Sequence, residues 1–344
     1  MSKITEKVVL QQLLAYLTEH KLICPSRSTH RPHRSTETAL LRITNAILFA
    51  LDSGNVSLLT LLDLSAAFDT IDHCILLDRL QHMYDISGTA LSWSCSSLTN
   101  RTQSFIINDH ILQVSSLSYG VPQGSVLGPV LFILYTKPLS GLIQCHSTES
   151  QSFADDTQLH VSVPPSNIQF AISSLESCLS DSQTLMLENK LKLNHDKTEA
   201  LLLRSFSKSF SVGKPTTISV CGCKIFFPSS ARNLGFYIRD YMSVELHIKY
   251  VCRSAYSELR RISTIRHLLS VDSTKTLVSA FVLSRLDYCN SLLSGCPNHV
   301  LEKLQKVQNS VARLVLKAHK RDHVSPLLRT LHWLPIEARI EYKL

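Results

Sequence analysis

No stretch of this 344-residue chain stays apolar long enough to cross a membrane. The greasiest run, Val126 to Tyr135, is about half of what a span needs. No secretory signal opens the chain, because Lys3, Glu6 and Lys7 interrupt its start. Long charged or polar tracts are also missing, which excludes a disordered protein, and no internal repeat is found. The ten cysteines lack a metal-binding framework. Cys221 and Cys223 sit two apart, but no second pair and no histidine follow at zinc-ligand spacing. They read as reduced thiols, and with the missing span they predict a soluble intracellular protein with no membrane partner.

What is present is a chain 44% apolar, enough to bury a sizeable core in about two domains. Its net charge of +8 is unevenly placed. Residues 249–344 carry 16 Lys/Arg against 7 Asp/Glu, and the other 248 residues carry 19 against 20. The basic excess is therefore C-terminal. It suits a polyanion, with phosphate contacts supplying salt-sensitive affinity; a solvated helical face would show the same charge.

Val9, Leu13 and Leu17 share one face of a predicted helix over Glu6–Leu17, and residues 24–36 read as a loop. A second helix is expected over Glu37–Leu51. Val56–Leu64 is a short apolar run bounded by turn signals, a buried strand. Ser65 is expected to cap the next helix, with Phe68, Ile71, Ile75, Leu76 and Leu80 on its apolar face. A loop with Gly120, Pro122, Gly124 and Gly128 leads to a helix over Val130–Leu142. Ser152–Val163 reads as a hairpin, Ile168–Leu187 as a helix, Leu191–Leu203 as strand, turn and strand, and Ile218–Phe227 as β. From Val244 onward the pattern is helical. The order predicts an α+β fold with a helical C-terminal domain.

Asp63 closes the first buried strand, where an acid is costly unless it meets a metal or a cation; an Asp at a helix start is the plainer explanation. Asp155 and Asp156 sit at the hairpin tip, where acids are common in turns. Together, three carboxylates at neighbouring strand ends can converge on two divalent cations and support phosphoryl transfer.

Four segments extend this pattern. Leu62-Asp63-Leu64-Ser65-Ala66-Ala67-Phe68-Asp69 resembles the first palm motif of non-LTR (LINE-type) retrotransposon reverse transcriptases. Tyr119 to Pro129 resembles their second motif, Phe153-Ala154-Asp155-Asp156 the third and Leu193 to Glu199 the fourth. Asn233-Leu234-Gly235, Leu286 to Asn290 and Leu331 to Pro335 resemble segments that follow the palm in vertebrate members. The resemblance covers essentially the whole chain.

It implies a polymerase right hand: partial fingers and a palm with a small antiparallel sheet over residues 1–240, and a helical thumb with the start of the following region over 241–344. It implies RNA-directed DNA synthesis by two-metal nucleotidyl transfer, with an RNA template, a DNA primer, the RNA·DNA heteroduplex and dNTP as partners. Asp63 and Asp155, assisted by Asp156, would ligate two Mg2+ ions, with Mn2+ as a substitute. Lys197 would donate a proton to pyrophosphate. Phe68 would exclude a ribose 2′-OH, and Gln123, Gly124 and Arg31 would line the nucleotide. Core packing for Phe68, a tight turn for Gly120 and Gly124, and a solvated turn for Lys197 are the alternatives. Leu301, Leu304, Val307, Val311, Leu314 and Val315 form the apolar stripe of a thumb helix, ringed by Lys303, Lys306, Arg313, Lys317, Lys320 and Arg321.

Thr29 and His30 depart from the family, which places a small residue and Phe before the arginine matched by Arg31. Family members also have a fingers segment ahead of the helix at Glu6. Without it the chain is expected to be a weak or inactive polymerase, with the face carrying Val9, Leu13 and Leu17 short of partners. An inactive relic that still binds nucleic acid and a non-catalytic helical interaction protein are the rival functions. Phe68→Val is expected to raise ribonucleotide use relative to deoxyribonucleotide use in primer extension. An unchanged preference would show Phe68 to be core filler.

Overall fold

The run read as a buried strand is the inner strand of the main sheet. The protein is described here from a computed structural model. It covers residues 2–344 apart from 25, 30–32, 66–67, 105, 109, 112, 123, 147, 206–214 and 221. Arg31 and Gln123 therefore lie outside the described residues.

The chain divides into two compact units, residues 1–35 with 49–228, and residues 36–48 with 229–344. Helices α1 (Ser2–Glu19) and α2 (Thr36–Asp52) precede strands β1 (Val56–Leu62) and β2 (Leu64–Ser65). Helices α3 (His73–His82) and α4 (Gly88–Leu98) follow, then short strands β3 (Arg101–Gln103), β4 (Ile106–Ile107), β5 (His110–Ile111) and β6 (Ser115–Leu117). Next come α5 (Gly128–Tyr135), α6 (Lys137–Cys145), β7 (Glu149–Phe153), β8 (Asp156–Val163) and α7 (Ile168–Glu188). Strands β9 (Lys192–Leu193), β10 (Glu199–Leu203), β11 (Thr217–Val220) and β12 (Cys223–Phe226) complete the first unit.

The sheet order is β10-β1-β8-β7, antiparallel at every pairing. Leu59 of β1 faces Leu201 on one side and His160 on the other. α7 buries Ile172, Leu175 and Leu179 in the cluster that holds Leu58, Leu62 and Leu159. The expected strand–turn–strand at 191–203 is present, but its arms part: β9 pairs with β2 and β10 with β1.

Four expectations are corrected. Ser65 caps no helix; it lies in β2, and α3 starts only at His73. Asp72 is the cap, its Oδ1 accepting from Cys74 N–H at 2.9 Å and Ile75 N–H at 3.1 Å. Residues 68–71 are kept from helix because Phe68 and Ile71 give their carbonyls to Val121 and Gly120. The helix expected over Val130–Leu142 breaks at Thr136, between α5 and α6. Pro138 has no N–H to continue the ladder, and Thr136 offers its carbonyl and hydroxyl to Arg27 at 2.9 and 2.8 Å. The loop at 24–36 contains a buried strap: Ser26 O accepts from Ser152 N–H and Ser28 N–H donates to Ser152 O, both at 3.0 Å. The face carrying Val9, Leu13 and Leu17 also finds partners, since all three pack on the core and Leu17 is fully buried.

The second unit takes the first part of α2, strands β13 (Ser230–Asn233) and β14 (Phe236–Arg239), and α8 (Glu245–Ile265), α9 (Val271–Val278), α10 (Ser284–Asp287), α11 (Asn298–Leu316), α12 (Val324–Leu331) and α13 (Ile336–Glu341). The stripe predicted on α11 is its core face: Leu304, Val307, Val311 and Val315 are buried. Arg266 is buried and closes the end of α11, donating to Leu314 O at 2.9 Å and Val315 O at 2.7 Å. The later motifs interlock here. The Tyr288 hydroxyl donates to Leu234 O, Arg339 forks onto Asp287, and Gln308 donates to Leu334 O at 2.8 Å. Among the described residues no helix is long and apolar enough to cross a membrane.

His247 is buried on α8, stacked on Phe236 at 4.0 Å with its Nδ1 facing the Tyr237 N–H at 3.5 Å. Burial pulls its pKa down from the ordinary 6.5 to about 4. The unfolded chain thus takes up this proton first as pH falls. Its contribution to stability is complete above 6.5 and is lost as pH drops toward 4. Chemical unfolding of the wild type should weaken across that window, and His247→Leu should flatten that part of the profile. Parallel profiles would refute it.

Candidate active site

Asp63 stands in the gap between β1 and β2. Its carbonyl accepts from Asn194 N–H at 2.9 Å, so β2 and β9 hold its backbone while β1 ends. The last pair of the β1–β8 register is Leu62↔Thr157. One residue further, that register sets Asp63 across from Asp156. The β7–β8 hairpin closes at Phe153↔Asp156, leaving Ala154 and Asp155 as a two-residue loop. Ala154 has φ 56°, a left-handed conformation that glycine normally takes in such turns. Its N–H donates to the Thr29 hydroxyl. Thr29, a departure from the family, thus holds the turn that carries Asp155.

The carboxylates repel one another. Although Asp156 reaches solvent, its pKa is pushed up to about 6, first by partial desolvation, then by the charges of Asp155 and Asp63. Asp63 Oδ2 is buried, and no described residue donates a hydrogen bond to it. Lys197, on the turn between β9 and β10, brings its Nζ to 3.9 Å from that oxygen while staying largely exposed. Uncompensated charge and a buried oxygen without a donor suit a cation. The donors are all hard oxygens, appropriate to magnesium. Among the described residues no three His, Cys, Asp or Glu side chains form a ready metal cage. The arrangement suits an ion whose shell is completed by substrate oxygens.

The glycine loop lies alongside. Gly120 has φ 82°, and a Cβ there would stand 2.8 Å from Asp69 O. Its N–H donates to Ile71 O at 2.8 Å, and Val121 N–H donates to Phe68 O at 2.9 Å. The Gly120 carbonyl accepts from Arg101 Nη1 at 3.1 Å and lies 2.8 Å from His73 Nε2. A carbonyl only accepts, so that nitrogen carries the proton. Phe68 is half-buried, its ring 5.0 Å from that of Phe132, so its inner side is core whatever its outer edge does. Gly124 has φ 80° with open space around it.

The structure thus brings Asp63, Asp156 and Lys197 together, with Asp155 on the adjoining turn and Phe68 bonded to the glycine loop. Arg27, Thr29, His73, Arg101 and Glu6 escaped sequence reasoning. Each acts across a long separation; Glu6 meets Ser125 from 119 positions away, beyond the reach of any spacing rule.

The chain belongs to the reverse transcriptase (RNA-dependent DNA polymerase) family, whose model matches residues 1–238. Within it, the chain is similar to the probable RNA-directed DNA polymerase from transposon BS of Drosophila melanogaster, 26% identical over 80% of this chain and 30% of that protein. It is also similar to the RNA-directed DNA polymerase from mobile element jockey of the same species, at 22% over 92% of this chain and 34% of that one. The resemblance to non-LTR reverse transcriptases is borne out. The chain spans about a third of the length of these relatives. Among solved structures it is similar to apo telomerase from Candida tropicalis, with TM-score 0.49 and 13% identity, covering 96% of this chain and 51% of that one.

Gly124→Ala should cost only the left-handed conformation, roughly 1–2 kcal/mol. Gly120→Ala should cost about 1–3 kcal/mol more, because its Cβ also strikes backbone. Urea unfolding of the two variants checks this; equal losses would refute the close approach.

Proposed function

We propose that this chain performs RNA-templated DNA synthesis from a primer 3′-hydroxyl. Residues 1–240 would supply partial fingers and palm, and residues 241–344 a thumb. The observation that carries this is the convergence of Asp63, Asp156 and Lys197 where β1 ends and β8 begins, in a chain of the reverse transcriptase family. Asp63 and Asp155, with Asp156 assisting, would hold two magnesium ions, or manganese in their place. When bound, such ions activate the attacking hydroxyl and steady the leaving oxygen. Lys197, exposed and with its Nζ 3.9 Å from Asp63 Oδ2, would protonate the departing pyrophosphate. Phe68 would stand against the sugar, with its backbone fixed by Val121. Gln123, Gly124 and Arg31 would line the nucleotide, as the resemblance implies.

A cleft of about 600 Å³ in the second unit supports the assignment of nucleic acid to the helical half. Arg239, Lys249, Lys303 and Lys306 line it, with Glu245 as the acid among its lining residues. Lysine and arginine without a matching number of acids bind a phosphate backbone with little dependence on base sequence.

Primer extension on poly-rA·oligo-dT with the purified chain is the test. Asp63→Asn and Asp155→Asn should each lower extension at least about a hundredfold while leaving heteroduplex binding intact. That binding should weaken steeply as salt rises, and Lys303→Ala with Lys306→Ala should flatten the dependence. Extension indifferent to Asp155 would overturn the proposal, and so would heteroduplex binding without any extension.

A further inference from the structure

Glu6 lies on α1, remote in sequence from the glycine loop, yet its carboxylate closes the downstream end of that loop. Oε2 accepts from Ser125 Oγ at 2.7 Å, Val126 N–H at 2.6 Å and Leu127 N–H at 3.3 Å. The Ser125 hydroxyl gives its proton to Glu6 and so turns its lone pairs to the chain. It accepts from Leu127 N–H at 3.1 Å and Gly128 N–H at 3.2 Å. Pro129 has no N–H to place. Each backbone donor from Val126 to Pro129 is thus engaged by Glu6 or by the serine that Glu6 orients.

The charge stands at the positive end of α5, where an anion is favoured. Desolvation opposes the charged form. The hydrogen bonds from Ser125, Val126 and Leu127 outweigh it and hold the carboxyl below the usual range. At the upstream end the loop is tied separately, by Gly120 to Ile71 and Val121 to Phe68. Between the two anchors lie Pro122, Gln123 and Gly124, and nothing stands within 4 Å of a Cβ placed on Gly124. Within that span Pro122 O accepts from Ser125 N–H at 3.0 Å, so the serine that Glu6 holds also closes the turn carrying Gly124.

We propose that Glu6 is a positioning residue: through Ser125 and the amides of Val126 and Leu127 it fixes the glycine loop around Gly124 for the incoming nucleotide. The inference rests on the polymerase function proposed above. Glu6 itself touches no substrate. Its loss should weaken nucleotide binding while leaving the metal-binding acids and the heteroduplex surface as they are.

The test uses the full chain with Glu6→Ala and Glu6→Gln. Amide hydrogen exchange at Val126 and Leu127 reads the loop directly. The dNTP dissociation constant on poly-rA with a dideoxy-terminated primer reads the consequence and needs no chemistry. Glu6→Ala should speed exchange at both amides and weaken dNTP binding roughly tenfold, the scale of one charge-assisted hydrogen bond. Heteroduplex affinity and melting temperature should stay near wild type. Glu6→Gln keeps an acceptor oxygen and should fall between; it also serves if Glu6→Ala does not fold. Unchanged exchange would overturn the clamp. Faster exchange with unchanged dNTP affinity would overturn the positioning role. A wild-type chain that binds heteroduplex but no dNTP would overturn the polymerase function and the nucleotide role of Glu6 with it; exchange at the two amides would still decide whether Glu6 holds the loop.

Discussion

A strand with no polar face must find hydrogen-bonding neighbours on both edges and apolar cover on both sides. β1 meets that demand by lying between β8 and β10, because an unpaired backbone group in the interior costs about as much as a lost hydrogen bond. The rest of the first unit follows. With β8 in register at Leu62↔Thr157, the hairpin tip bearing Asp155 and Asp156 must arrive where β1 ends. With β2 paired to β9, the turn bearing Lys197 arrives there too. Asp63 is then caught at a break in the sheet, its backbone held by Asn194 and its side chain aimed at neighbouring charge. An acid in that position is poor for stability and good for cation chemistry.

The support for this site is borrowed from far along the chain. Thr29 holds the turn at Ala154, and Glu6 holds the loop before α5. Arg27 is buried, and its bonds to Thr136 sit where one apolar helix becomes two. A buried guanidinium without acceptors would be strongly destabilising, so these carbonyl and hydroxyl bonds are what make the strap beside β7 tenable. Polar groups from the N-terminal elements therefore hold loops whose backbone donors and carbonyls lie outside the sheet ladder.

The second unit solves a different problem. Its core is a helix stripe of ordinary aliphatic residues, but several of its ends are closed by charge. Arg266 covers the last carbonyls of α11, Arg339 pairs with Asp287, and Lys343 reaches Glu37 at 3.1 Å. The segments around Leu234, Tyr288 and Leu334 that resemble the family downstream of the palm are joints of this unit. Tyr288 closes on Leu234, and Gln308 on Leu334. Their residue types answer to packing and capping, whereas Asp63 and Asp156 of the first unit are set against one another's charge.

By itself the sequence determined the kind of each long element, since periodicity in Val56–Leu62, Ile168–Glu188 and Asn298–Leu316 records which faces must leave water. It also singled out the acids, glycines and lysine of the four motifs, through their resemblance to those of non-LTR reverse transcriptases. It did not determine where α3 begins, that the helix after Val130 breaks, or that residues 26–28 are buried. At each place a hydrogen bond to a distant partner overrode the local preference: Val121 on Phe68, Arg27 on Thr136, Ser152 on Ser26. Only the tertiary structure brought Glu6, His73 and Arg101 to the glycine loop and Thr29 to the turn at Ala154. Their side chains act through one to three polar contacts with residues 19 to 125 positions away, and such contacts leave no period in the sequence.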